Sequence, residues 1–149
     1  MLPYTSSSNS INGYKDSKIA RGETSDCVVR AIASASGWDY DKSHKFVADE
    51  FNRKNRQGTF LFNQTMCKFA EEGKRLNRKK VYTISRYKMM NGKSRMTVGK
   101  FIEKFKKGTY IVSVRRHAFA IKDGVVIGNW SDAKKTRVRI DGCWKIGSK

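Results

Sequence analysis

The chain of 149 residues and 17.1 kDa has the size of one globular domain. Hydrophobic residues make up 38% of it, which suffices for a packed core and argues against full disorder. The apolar runs are too short to span a bilayer, residues 1–10 lack the pattern of a secretory signal, and the three cysteines form no CxxC pair. We therefore expect a protein of a reducing, intracellular compartment.

A strong positive charge is concentrated in one part of the chain. The net charge is +19, and residues 74–107 contain thirteen basic residues and one acidic residue, whereas residues 1–51 are almost neutral. Such a field attracts polyanions, which indicates nucleic acid or an acidic virion component as a partner, with a solvated basic face as the alternative. The candidate phosphate contacts are Lys74, Arg75, Arg78, Lys79 and Lys80.

The segment after residue 23 predicts a buried helix. Thr24, Ser25 and Asp26 are all suitable N-cap residues for the apolar stretch 28–35 that follows. Because this stretch is apolar on all sides, it predicts a central helix that is covered by other elements and ends at Gly37.

The rest of the pattern predicts an α+β fold. Residues 1–20 are rich in Ser, Asn and Gly and predict a flexible N-terminal arm, followed by a single domain over residues 21–149. Further helices are predicted over Asp39–Asn55, from Asn63 onward, and after the N-cap Thr97. Extended segments are predicted at 81–86, 109–114, 117–121, 125–129 and 136–140. Helices followed by an antiparallel sheet are typical of the α+β class.

Cys27 is the candidate nucleophile. It falls in the first turn of the buried helix, where free N–H groups and the positive end of the helix dipole stabilise a thiolate, and Cys67 and Cys143 lack such a position. The alternative role for Cys27 is that of a small buried side chain. A thiol nucleophile also needs a base. His44 lies on the apolar stripe of its helix and is interpreted as a packed residue, whereas His117 opens an apolar strand and is the candidate base.

The turn at Asp123–Gly124 decides which residue lies opposite His117. A two-residue loop places His117 opposite Trp130, and a three-residue loop with a left-handed glycine places it opposite Asn129. We expect the three-residue register, in which Asn129 holds one nitrogen of the imidazole. Asp132 is the substitute if the strand is irregular.

The order of these residues resembles the papain-like cysteine peptidase superfamily, in which the nucleophile opens the central helix and the His and Asn follow from the sheet. Asp26–Ala33 and His117–Trp130 are similar to small papain-fold proteins of bacteriophages, and the Asn129-Trp130 pair is similar to the Asn-Ser-Trp of papain without its Ser. The resemblance implies a papain-like fold and a catalytic triad of Cys27, His117 and Asn129. It also implies a cysteine peptidase or related amide or thioester hydrolase with a protein or peptide substrate, no cofactor, and a place in the host cytoplasm or the virion.

The sequence departs from the superfamily just before the nucleophile. Papain relatives have a Gln there that completes the oxyanion hole, but the first glutamine of this chain is Gln57. The backbone N–H of Cys27 supplies one donor, and the second is open among Arg21, Thr24, Ser25 and Asn12. Because loss of one donor costs about 2.7–4 kcal/mol of transition-state stabilisation, the alternative function is a catalytically inactive papain-fold module that binds polyanions.

No metal site is predicted. The cysteines and histidines form no short-spaced ligand pair of the kind that zinc sites use. Asp39 and Asp41 flank Tyr40 at a predicted helix start, where carboxylates suit the helix dipole.

Overall fold

The computed structural model of the chain describes residues 1–59 and 62–147, and only the backbone of residues 62 and 63. Its α-helices are α1 (Ser7–Ser10), α2 (Lys18–Arg21), α3 (Cys27–Ser36), α4 (Tyr40–Phe51), α5 (Phe62–Glu71) and α6 (Val98–Lys104). Its strands are β1 (Tyr4–Ser6), β2 (Arg75–Leu76), β3 (Lys79–Thr83), β4 (Met90–Asn91), β5 (Ser94–Arg95), β6 (Thr109–Val114), β7 (His117–Lys122), β8 (Val125–Gly128) and β9 (Gly142–Ile146). Two 3-10 helices span Tyr87–Met89 and Trp130–Lys134. None of the described helices has the length and apolarity needed to cross a bilayer.

The main sheet separates two hydrophobic cores. Its seven strands lie in the order β1-β8-β7-β6-β9-β3-β2, and all neighbours are antiparallel except β1 and β8. Helices α3, α4 and α5 cover one face, and α6 covers part of the other. The α+β class predicted from the sequence is therefore confirmed.

Helix α3 is the central helix that the sequence predicts. Val29 and Ile32 are fully buried, and the helix packs on β7, where the small side chains of Ala118 and Ala120 allow a close approach. Gly37 ends the helix with a φ of 79°, a left-handed conformation that glycine adopts without strain. This packing places the first turn of α3 beside the beginning of β7.

The N-terminal segment differs from the flexible arm that its composition predicts. Strand β1 extends the sheet along β8, with Thr5 opposite Ile127, and the N–H of Leu2 donates to the carbonyl of Ala133 at 2.8 Å. Ile11 is buried in the core beneath α3. The cause is tertiary, because the open edge of β8 supplies backbone partners that residues 1–20 cannot find locally.

Two element bounds and one predicted strand also differ from the prediction. The helix predicted over 39–55 ends at Phe51, since Asn52 has a left-handed φ of 54°. The strand predicted at 81–86 is β3, which begins earlier and ends at Thr83. Residues 136–140 do not form a strand: they run beside the start of α6, where the N–H of Gly99 donates to the carbonyl of Thr136, and the chain joins the sheet only at β9.

The register of the β7–β8 hairpin is the two-residue alternative, so the expected three-residue register is wrong. Lys122 pairs with Val125, and both turn residues have positive φ, 49° at Asp123 and 79° at Gly124. These angles define a type I′ turn, whose twist matches that of the strands and which Asp-Gly favours. The ladder extends only to Ala120 opposite Ile127, so Asn129 does not pair with β7.

Candidate active site

A cleft of about 860 Å³ lies at the end of the sheet where β6 turns into β7. Cys27 contributes to one wall from α3, and His117 contributes to another from β7. Asn129 and Asp132 line the same cleft from the segment after β8. The fold thus gathers residues that are separated by about ninety positions in the sequence.

Several contacts hold the beginning of α3 in place around the candidate nucleophile, Cys27. Cys27 is its first residue and is partly exposed to the cleft. The carboxylate of Asp26 is buried, accepts a hydrogen bond from the hydroxyl of Tyr40 at 2.7 Å, and lies 3.2 Å from Nε of Arg30. Ser25 has a left-handed φ of 53°, a strained conformation for a non-glycine residue that turns the chain sharply into the helix.

A buried ion cluster anchors the loop before Cys27 to α4. Oε2 of Glu23 contacts Nε2 of His44 at 2.5 Å and the guanidinium of Arg53 at 2.7 Å, and Oε1 accepts the backbone N–H of Arg56 at 2.6 Å. Burial favours a higher pKa for Glu23, but Arg53, the Arg56 N–H and His44 outweigh it and lower the pKa to about 2. His44 is packed, as predicted, but its pairing with Glu23 was not predicted.

His117 lies between a carboxylate and the thiol. Its Nε2 lies 2.8 Å from Oδ1 of Asp132, within ion-pair distance. The thiol of Cys27 lies close to the same ring and lines the same cleft. Burial favours a lower pKa for His117, yet Asp132 and Cys27 together raise the pKa to about 9. The imidazole is therefore protonated at neutral pH.

Asp132, and not Asn129, contacts the histidine. The side-chain oxygen of Asn129 accepts the N–H of Asp132 at 3.1 Å and the hydroxyl of Ser131 at 2.6 Å. Oδ2 of Asp132 in turn accepts the N–H of Asn129 at 2.9 Å, which completes a capping box on the 3-10 helix. The expected role of Asn129 as the histidine's partner is thus not what the structure shows, because the two-residue turn moves Asn129 out of register with β7.

Asp132 is buried and fully paired. Only 1% of its side chain is exposed, and Oδ1 also contacts Nζ of Lys135 at 2.7 Å. Burial alone would raise the pKa of this carboxyl, but His117 and Lys135 hold it below its ordinary value. Asp132 is therefore a carboxylate at neutral pH and keeps a fixed negative charge behind the imidazole.

The other cysteines lie outside the cleft. Cys143 is buried on β9, and burial raises the pKa of its thiol well above the ordinary range. Cys67 is partly buried on α5. Within residues 1–59 and 62–147, no group of three His, Cys, Asp or Glu side chains is placed to hold a metal ion.

Of the four candidates for the second oxyanion donor, Ser25 lines the cleft. The side chain of Asn12 donates to the carbonyl of Gly37, and that of Thr24 to the carbonyl of Arg56. Arg21 belongs to α2 and does not line the cleft. The N–H of Cys27 is the other available donor, because the first N–H groups of a helix have no intrahelical acceptor.

Gly128 is a site residue that sequence reasoning missed. A Cβ built on Gly128 would lie 2.3 Å from Oδ2 of Asp132, so the absence of a side chain lets the carboxylate reach His117. The sequence did contain a signal for this role: a glycine in a strand often marks a point where another group approaches the backbone closely, and Gly128 lies near the end of a predicted strand. The spacing of Asn129 and Asp132 was a second signal, since it is that of a capping box.

Gly128→Ala is expected to displace the Asp132 carboxylate from His117, because the added Cβ would overlap Oδ2 of Asp132. An NMR titration of His117 should show its pKa falling from about 9 towards the ordinary 6.5. Gly58→Ala is the matched control, since Gly58 lines the same cleft with nothing within 4 Å of its Cβ position. An unchanged His117 titration in Gly128→Ala would contradict this role.

Comparison with known proteins identifies no relative: no protein-family model, curated protein or solved structure matches the chain significantly. The functional assignment therefore depends on the geometry of this cleft.

Proposed function

We propose that the protein is a cysteine hydrolase of papain-like architecture that cleaves an amide or thioester bond of a protein or peptide substrate. The observation that carries the proposal is that Cys27, His117 and Asp132 line one cleft, with His117 paired to Asp132. Cys27 supplies the nucleophile, His117 is the general base and acid, and Asp132 is a positioning residue. Asp132 takes the part that we first assigned to Asn129.

The proposed chemistry depends on the two ring nitrogens of His117. One nitrogen accepts the thiol proton of Cys27, and the other is held by Asp132, which stabilises the resulting imidazolium. The thiolate attacks the substrate carbonyl, and the new oxyanion is bound by the N–H of Cys27 and by Ser25. When the tetrahedral intermediate collapses, the bond to the leaving group breaks and His117 donates its proton to that group.

In the second half of the reaction, water hydrolyses the acyl-enzyme. His117, now neutral, takes a proton from a water molecule, which attacks the thioester carbonyl of the acyl-enzyme. Collapse of this second intermediate breaks the carbon–sulfur bond, releases the carboxylic acid and returns the ion pair. The cleft, at about 860 Å³, has the volume of a small-molecule or peptide-side-chain site.

The first test is the reactivity of Cys27 towards an electrophile at pH 6. We expect chloroacetamide to alkylate Cys27 at least about tenfold faster than Cys67, because ordinary thiols are almost fully protonated at this pH. His117→Ala should remove that advantage. Peptide mapping by mass spectrometry identifies the alkylated cysteine, and Cys67 serves as the reference within the same molecule.

The second part of the test is turnover. A library of fluorogenic peptidyl amides should yield a substrate whose hydrolysis is lost in Cys27→Ala. If Cys27 reacts no faster than Cys67, the hydrolase is excluded and the catalytically inactive, polyanion-binding module becomes the better interpretation.

A further inference from the structure

A second concave site lies at the other end of the sheet. The strand registers place Tyr110, Lys145 and Tyr82 side by side on the sheet face that α6 partly covers. Phe101 of α6 packs on Tyr110 with ring centroids 5.1 Å apart, so this part of the face is closed. Over β3 and β2 no helix of the described residues covers the face, and Tyr82 and Lys145 remain partly exposed.

The uncovered area forms a groove of about 690 Å³ with a strongly basic lining. Its cations come from three separate parts of the chain and are Arg75, Arg78, Lys79, Lys80, Lys107 and Lys145. No Asp or Glu lines the groove, and among the described residues none of these six cations has a carboxylate within 4 Å. Within the described residues these six charges therefore have no carboxylate counterion.

Lys74 does not belong to this groove. The Nζ atom of Lys74 lies 3.0 Å from Oε2 of Glu50 and 3.3 Å from Oε2 of Glu72, and Lys74 does not line the groove. The five basic residues singled out from the sequence thus divide into four that face the groove and one that is paired elsewhere. Lys107 and Lys145, which are distant in the sequence, join the four.

The hairpin between β2 and β3 holds Arg78 at a strained position. Asn77 and Arg78 have left-handed φ values of 50° and 66°, a conformation that is unfavourable for a residue with a side chain. Asn77 donates to the carbonyl of Ser36 at 2.6 Å, which fixes the turn to the end of α3. The guanidinium of Arg78 is thus presented to the groove from an anchored turn.

We propose that this groove binds the phosphate backbone of nucleic acid without reading its sequence. A cluster of cations without carboxylate partners at one end of a sheet suits closely spaced phosphates, which the cations contact as point charges. A protein partner of comparable size would need an apolar centre. The groove offers little of this kind, because Ile146 is buried and Tyr82 is the one aromatic side chain of its lining.

The groove is separate from the proposed catalytic cleft. Thr109 at the start of β6 lines the groove, and Val114 at its end lines the cleft. Five residue steps along a strand correspond to about 16 Å. The two sites can therefore be tested independently.

The test measures the affinity of the full chain for a fluorescent 20-nucleotide single strand and for its duplex, by anisotropy at 50–300 mM salt. We expect the logarithm of the affinity to fall linearly with the logarithm of the salt concentration. Removing two cations with Lys80→Gln and Lys145→Gln should reduce the single-strand slope by about 1.4, since each phosphate contact contributes about 0.7. The affinity at 50 mM salt should fall at least tenfold.

The matched control is the pair Lys18→Gln and Lys68→Gln, which removes the same charge from exposed positions outside both sites. An equal loss of nucleic-acid affinity in the two double variants would show that only the total charge of the protein matters, and it would overturn the proposal. So would binding of polyglutamate with no binding of either nucleic acid. Alkylation of Cys27 should be unchanged in the groove variant, so failure of one proposal leaves the other standing.

Discussion

Asp132→Ala is expected to lower the turnover of a peptidyl amide roughly 10⁴-fold, the size of the loss found when the acidic member of a triad is removed. The reason is that Asp132 holds Nε2 of His117 at 2.8 Å and supplies the charge that stabilises the imidazolium. Asn129→Ala should lower turnover less than about tenfold. It removes a helix cap, which costs about 1 kcal/mol of stability, and leaves the ion pair in place.

The rate of hydrolysis and the NMR titration of His117 together check this prediction. In Asp132→Ala the pKa of His117 should fall from about 9, whereas in Asn129→Ala it should stay near that value. Asp132→Asn is the conservative variant: it keeps an oxygen for Nε2 without the charge, so we expect an intermediate loss. A larger loss in Asn129→Ala than in Asp132→Ala would restore the triad first expected from the sequence and refute the assignment made from the structure.

Glu23→Gln is expected to reduce the free energy of unfolding by roughly 3–5 kcal/mol, because removing one partner of a buried ion pair leaves the other charge uncompensated. Arg53 is that partner, with 1% of its side chain exposed. The loop that leads into Cys27 should loosen at the same time. We therefore expect slower alkylation of Cys27 even at temperatures where the variant is folded.

Urea unfolding as a function of pH checks the effect of Glu23. The pKa of Glu23 is about 2 in the folded protein and ordinarily 4.5, so its contribution is fully present above pH 4.5 and is lost as the pH falls towards 2. The difference in stability between the wild-type protein and Glu23→Gln should shrink over the same range. Glu50→Gln, which removes an exposed pair with Lys74, should cost less than about 1 kcal/mol. A Glu23→Gln variant as stable as Glu50→Gln at neutral pH would contradict the structural role of the cluster.

The local pattern of the sequence determined the longer helices and the choice of two candidate reactive groups, Cys27 and His117. Helix α3, its end at Gly37, and the helix after Thr97 follow from capping residues and apolar spacing, which act over a few positions. The choice of His117 over His44 also followed from local pattern, because His44 lies on the apolar stripe of a helix whereas His117 stands at the start of an apolar strand. The positive charge of residues 74–107 is also a property of the sequence alone.

The tertiary structure decided what each of these groups contacts. The residue that contacts His117 depends on the two-residue turn of the β7–β8 hairpin and on the capping box after β8. Together they place Asp132, and not Asn129, beside the imidazole. The basic groove combines charges from three parts of the chain, and Lys74 is excluded from it by carboxylates nearby in space. The physical reason is the range of the forces involved: capping and periodicity are local, whereas strand register, burial and ion pairing depend on chain segments that meet only after folding.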